Sequence, residues 1–181
     1  MKKEVTQLEA FLLAFFLLGS PSFIWAFNAK SFGDAGRLVI PLTSAGVTLF
    51  TKDFQGTTQW ALSMGLVQGV TEGLKYVTNE RRPNGECCTS FPSSHASAAF
   101  TGAAFIQYRY GLLYSVPFYL GALGVAVSRV QSGAHYPQDV FAGALLGMAG
   151  TYLSTTPSLK GKVSIMLSNR TAGILYRWIF D

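Results

Sequence analysis

Apolar stretches recur along the chain at about 8–27, 38–50, 58–74, 96–108, 112–128 and 138–154, parted only by short polar or Gly/Pro-bearing connections. Read as helices, the six segments form a compact all-α bundle. The first is about twenty residues long, enough for a helix to cross roughly 30 Å of hydrocarbon. Several of the others fall below eighteen residues, and their Gly, Ala, Ser and Thr content suits helices that approach closely within a membrane. The expected architecture is therefore a transmembrane helical bundle, spanning or partly embedded. Gly143 and Gly147 have GxxxG spacing, which reads as intramolecular packing rather than a dimer seam.

No long polar linker divides the 181 residues, so a single domain over 1–181 is expected. Residues 1–27, with Lys2 and Lys3 before the apolar run, read as a membrane anchor; a secretory signal ending near Ala26 is the alternative. The tail at 156–181 mixes bases with Ile, Leu, Trp and Phe, the composition of an interfacial element or of a segment packed on the bundle. Hydrophobic residues make up 49% and charged residues 13%, with a mean hydropathy of +0.30, which leaves the membrane question to the segment pattern. The net charge of +5 comes from scattered bases with no stripe or zinc spacing, so nucleic acid is not an expected partner. Cys87 and Cys88 are adjacent and read as an incidental loop pair, a vicinal disulfide being the alternative. With a cytoplasmic N-terminus, eight of the fourteen bases fall inside and six outside, a weak bias that strengthens if Lys75, Arg82 and Arg129 serve chemistry.

Three polar clusters interrupt the apolar chain, each at the end of an expected helix and all on one side of the bundle. They run from Lys75 to Arg82-Pro83, over Pro92-Ser93-Ser94-His95, and from Ser128-Arg129 through His135 to Asp139. Both histidines of the protein lie in them. Cleaving a phosphoester needs cations for the phosphate oxygens, donors for developing charge, a nucleophile, and an acid for the departing oxygen. Lys75 supplies a point charge, and Arg82 and Arg129 supply planar donor forks. Lys75 and Arg82 are seven residues apart, two turns if the helix persisted, although Pro83 disfavours helix at Arg82. Ser93 or Ser94 reads as a helix cap, and a capped helix start is also an anion cradle. Asp139, four residues after His135, is placed to accept from the imidazole and leave its other nitrogen free to attack. Arg81 reads as a solvated charge and Glu72 as a helix partner of Lys75. Two histidines and one aspartate are too few for a metal centre, so no metal or cofactor is expected.

Taken together, the clusters resemble the tripartite signature of the type-2 phosphatidic acid phosphatase superfamily, K-x6-RP, PSGH and SR-x5-H-x3-D. They match in order and spacing over 75–139, departing only in Ser94 where the family usually has Gly. The resemblance implies a six-helix membrane lipid phosphatase with a core shared by vanadate-dependent haloperoxidases. It implies that His135 forms a phosphohistidine, that Asp139 orients it, and that His95 protonates the leaving group. Lys75, Arg82, Ser93, Arg129 and the backbone at Ser94 would hold the phosphate, the Ser94 Cβ standing where close approach favours glycine. The implied substrate is a lipid phosphate or pyrophosphate, with undecaprenyl pyrophosphate, phosphatidylglycerophosphate, phosphatidic acid and lipid A as candidates. The implied setting is a bacterial inner membrane with the site facing the periplasm. A secreted soluble acid phosphatase, a haloperoxidase and a non-catalytic binding protein are the competing readings.

Overall fold

The computed structural model describes residues 28–158 in full, together with the backbone of Lys162–Ser168 and Thr171–Arg177. The segment expected at 8–27 lies outside the described residues. The other five apolar segments are helices: α1 (Ala29–Phe50), α2 (Phe54–Thr78), α3 (Ser94–Tyr110), α4 (Leu112–Gln131) and α5 (Pro137–Ser154). In the tail, β1 (Lys162–Ser168) and β2 (Thr171–Arg177) form an antiparallel hairpin running from the pair Lys162 and Arg177 to the pair Ser168 and Thr171.

Every helix outruns the apolar segment that announced it, and side-chain caps set the starts of α1, α2 and α3. Asn28 accepts from Ser31 N–H at 2.8 Å and starts α1 nine residues ahead of the expected position. Asp53 accepts from Gly56 N–H at 2.9 Å and starts α2. At the other end of α2, Asn79 takes the left-handed conformation (φ 48°) and donates its N–H to Lys75 O at 3.0 Å. The helix therefore stops before Arg82, which lies in the connection to α3 together with Cys87 and Cys88, whose sulfurs are in contact. Ser93 caps α3 and Pro137 opens α5.

Helix α3 is the axis of the bundle, packed against the other four helices. Its Ala-rich sequence lets them come close, and Ala96, Ala99, Ala103 and Ala104 are wholly buried. Glycine serves the same purpose across the α3–α5 and α1–α3 contacts. A Cβ on Gly147 would stand 2.7 Å from Ser97 O, and one on Gly102 would stand 2.9 Å from the Pro41 backbone. Gly143 likewise lies against Ser93 O, so the GxxxG stripe of α5 packs inside the molecule.

The interior is mixed and the exterior is greasy, the reverse of a water-soluble bundle. Ser44, Thr48, Ser63, Thr71, Ser97, Thr101 and Thr151 are fully buried. Except at Thr71, their hydroxyls are spent on nearby helix carbonyls, as with Thr101 to Ser97 O at 2.7 Å, or on neighbouring hydroxyls, as with Ser63 and Ser154 at 2.7 Å. Outward, Leu38, Leu42, Leu49, Leu62, Leu120 and Leu123 are among many large apolar side chains left exposed. An apolar surface on this scale is stable in hydrocarbon and not in water. Polar inner faces dilute the average, so among the described residues α4 alone is both long and apolar enough by composition to cross a membrane.

The helices alternate in direction, which brings the start of α1, the end of α2, the start of α3, the end of α4 and the start of α5 to one end. The opposite end is tied by Arg109, whose guanidinium grips the Asp53 carboxylate with two bonds of 2.7 Å. Burial raises the Asp53 pKa, but Arg109, Gly56 N–H and the Tyr110 hydroxyl outweigh it and hold the carboxyl below its ordinary range.

Candidate active site

His135, in the turn between α4 and α5, is almost fully buried, and its ring Nδ1 lies 2.8 Å from the Ser90 carbonyl. A carbonyl only accepts, so Nδ1 carries the hydrogen and Nε2 keeps its lone pair. Asp139 is not the direct partner that the four-residue spacing suggested: its Oδ2 is 3.6 Å from Nδ1. That oxygen instead accepts from the Ser90 hydroxyl at 2.5 Å and from Tyr136 N–H at 2.9 Å. As the third residue of α5, Asp139 is committed to capping its own helix, and Ser90 bridges it to the imidazole. Burial, reinforced by the Arg82 charge, pushes the His135 pKa down to about 4. The imidazole is neutral at pH 7.

This depression fixes the sign of a pH effect. Between about 4 and 6.5 the unfolded chain binds a proton at His135 that the folded chain does not, so this group's stability contribution is lost as pH falls through that window. In detergent, the NMR titration of the His135 ring should be centred near 4; the protein has two histidines, and His135→Ala assigns the resonance. A midpoint at 6.5 would refute the buried, neutral ring.

His95 occupies the first turn of α3, its ring centroid 6.5 Å from that of His135. Its Nε2 is held at 2.9 Å by Asp34 of α1. The same carboxylate oxygen binds Arg129 Nη1 at 2.8 Å, and Arg129 Nη2 donates to Lys30 O. Arg129 passes so near α1 that any Cβ on Gly33 would collide with its guanidinium and with Ser128 Oγ. Arg82 is fixed by Glu86 Oε2 and Thr89 Oγ1, both at 3.2 Å from its terminal nitrogens. Its loop is pinned to the α4–α5 turn by Asn84 N–H donating to Gly133 O at 3.0 Å. Lys75, itself buried in the last turn of α2, donates to Glu72 at 3.3 Å and to Ser94 Oγ at 2.7 Å. Ser94 thus contributes a hydroxyl that holds the ammonium. Ser93 is buried, accepts weakly from Ala96 N–H at 3.4 Å, and donates its own N–H to Asp139 O at 2.9 Å.

Among the described residues, the buried side-chain atoms without a hydrogen-bond partner are Thr71 Oγ1, Arg82 Nε, His95 Nδ1, Arg129 Nε and Asp139 Oδ1. Four of these five belong to this one end of the bundle. Buried polar atoms are normally paired, and unpaired ones concentrated in one place mark a site shaped for a polar ligand. Two guanidinium Nε–H donors, with an ammonium close by, select an anion with several oxygens.

All eight residues singled out from the sequence lie at this end. Four others are visible only in three dimensions: Asp34, Ser90, Glu86 and Thr89. Asp34 falls ahead of the apolar part of α1, where its one signal is an acid placed between Lys30 and Arg37 at helical spacing. Ser90 works through a carbonyl that no side-chain motif encodes.

Two histidines facing each other beside a ring of cations at one end of a helical bundle make the architecture of a phosphatase. The PAP2 superfamily matches residues 56–159. Over 142 residues the chain is 32% identical to the lipid A 4'-phosphatase of Helicobacter pylori, covering 72% of this chain and 71% of that protein. Over 91 residues it is 35% identical to the lipid A 1-phosphatase of Porphyromonas gingivalis, covering 49% of this chain and 20% of that one. Its fold is similar to the crystal structure of Aquifex aeolicus LpxE, with a TM-score of 0.62 at 24% identity, over 79% of this chain and 93% of that one. The chain belongs to the PAP2 superfamily and is a phosphoric ester hydrolase.

Proposed function

We propose that the protein is a membrane-embedded lipid phosphatase that removes a phosphate monoester or pyrophosphate end group through a phosphohistidine, at the extracytoplasmic face. The carrying observation is that Arg82 Nε, Arg129 Nε and His95 Nδ1 are all buried and unpartnered at one end of the bundle, with the His95 ring centroid 6.5 Å from that of His135. Lys75, Arg82 and Arg129 neutralise the phosphate, with Ser93 and Ser94 at the α3 start adding hydroxyl and backbone donors. His135 Nε2 attacks phosphorus, an N–P bond forms, and the P–O bond to the lipid breaks as its oxygen takes a proton from His95. Water then attacks phosphorus, the N–P electron pair returns to His135, and His95 receives the water proton. Asp139, through Ser90, keeps Nδ1–H pointed away from the reaction and supports positive charge on the ring as it forms.

The outward-facing apolar belt supports lipid over a soluble phosphoester, because a site at the end of membrane-buried helices lies at headgroup depth. The names of the matched relatives favour an anionic glycolipid, so lipid A phosphates are the first substrates to try. The test is a detergent assay of lipid A 1- and 4'-phosphates, phosphatidic acid, phosphatidylglycerophosphate and undecaprenyl pyrophosphate with wild type and His95→Ala. Vanadate-sensitive phosphate release from at least one lipid, lost in the variant, is expected. Release from soluble sugar phosphates alone would overturn the lipid reading.

A further inference from the structure

Asp34 belongs to none of the three polar clusters, yet its carboxylate bridges two of them, at His95 and Arg129. Its Oδ1 lies 2.9 Å from His95 Nε2 and 2.8 Å from Arg129 Nη1, reaching from α1 to α3 and to the end of α4. A carboxylate accepts, so the hydrogen on Nε2 is committed to Asp34 and the other nitrogen is the one left for chemistry. That nitrogen, Nδ1, is the buried atom with no partner. Without an anchor the ring could present either nitrogen, or turn out of line, by rotation about two side-chain bonds.

We propose that Asp34 is the positioning residue of the acid step: it orients His95 so that Nδ1 delivers the proton to the leaving oxygen, and its negative charge stabilises the imidazolium that gives up that proton. Because the same oxygen holds Arg129, the proton donor and one arm of the phosphate clamp share a single anchor on α1. The close approach that makes this possible depends on Gly33, one residue earlier, where no side chain separates α1 from Arg129. The inference rests on His95 being the acid.

The test compares leaving groups on substrates with similar tails, dodecyl phosphate and 4-decyl-2-nitrophenyl phosphate, in detergent. An alkoxide needs a proton to depart and a nitrophenolate does not. The side chain of Asp34 is 49% exposed, so Asp34→Asn changes charge without opening the core, and unchanged thermal unfolding checks this. The amide oxygen in Asp34→Asn still accepts from Arg129 Nη1, and any loosening of that arm falls on both esters alike, so the variant should lower kcat for dodecyl phosphate at least about tenfold more than kcat for the nitrophenyl ester. Asp34→Glu should regain part of the alkyl rate. Equal losses on both esters in Asp34→Asn, or no loss on either, would overturn the role. His95→Ala run alongside separates the premise: discrimination there without discrimination in Asp34→Asn sinks Asp34 alone, whereas equal losses in His95→Ala sink the acid reading and the proposal with it.

Discussion

His135→Ala should lower phosphate release by at least about four orders of magnitude, the scale on which loss of a nucleophile is felt in enzymes that form a covalent intermediate. The buried ring is held from below by Ser90 O, so alanine leaves no second nucleophile at that point. Rapid acid-free quench with radiolabelled lipid phosphate should trap phosphate on nitrogen in the wild type and none in the variant. His95→Ala should retain some phosphoenzyme with an activated aryl ester, since its missing function is the proton. Unchanged turnover in His135→Ala would end the phosphohistidine mechanism. The converse substitution on its support, Ser90→Ala, keeps the carbonyl and removes only the hydroxyl that reaches Asp139, and should be far milder.

The second large effect falls on Arg129. Its guanidinium is asked for three things at once: Nη1 holds Asp34, Nη2 holds Lys30 O, and the unpartnered Nε is the donor proposed to meet the phosphate. Lysine keeps the charge but has one nitrogen and no planar fork, so Arg129→Lys should lose about a thousandfold in kcat/KM despite the conserved charge. Added guanidinium should restore part of the activity of Arg129→Ala, where the space is open, and little in Arg129→Lys, where a side chain fills it. A Lys variant within tenfold of wild type would mean that Arg129 acts as a simple counter-charge. The contrast with Lys75 is instructive: its ammonium already needs only Glu72 and Ser94, and no fork geometry is asked of it.

The placement of these groups was legible in the sequence to different depths. Helix existence was readable from apolar runs, but α1 begins nine residues early, and that extension carries Asp34. Polar residues at a helix end are indistinguishable from loop residues by hydropathy, and the Asn28 cap is the one local clue. The spacing of Lys75 and Arg82 allowed two turns of helix while Pro83 argued against helix at Arg82, and Asn79 does end the helix, leaving Arg82 in a loop held by Glu86 and Thr89. The four-residue spacing of His135 and Asp139 set them near each other, at 3.6 Å, but the imidazole found a carbonyl forty-five positions away.

By itself, the sequence determined a helical membrane-type bundle, the helix ends at which chemistry collects, and the residue types that a phosphate demands. These follow from local rules: periodic apolarity, capping and the chemistry of individual side chains act within a few residues of one another. Only the tertiary structure decided which nitrogen of each histidine is free, which carbonyl and carboxylate hold the other, and that Asp34 serves two clusters at once. Those facts depend on hydrogen bonds between helices far apart in the chain, formed only when α3 is packed among its four neighbours, and no local pattern records them.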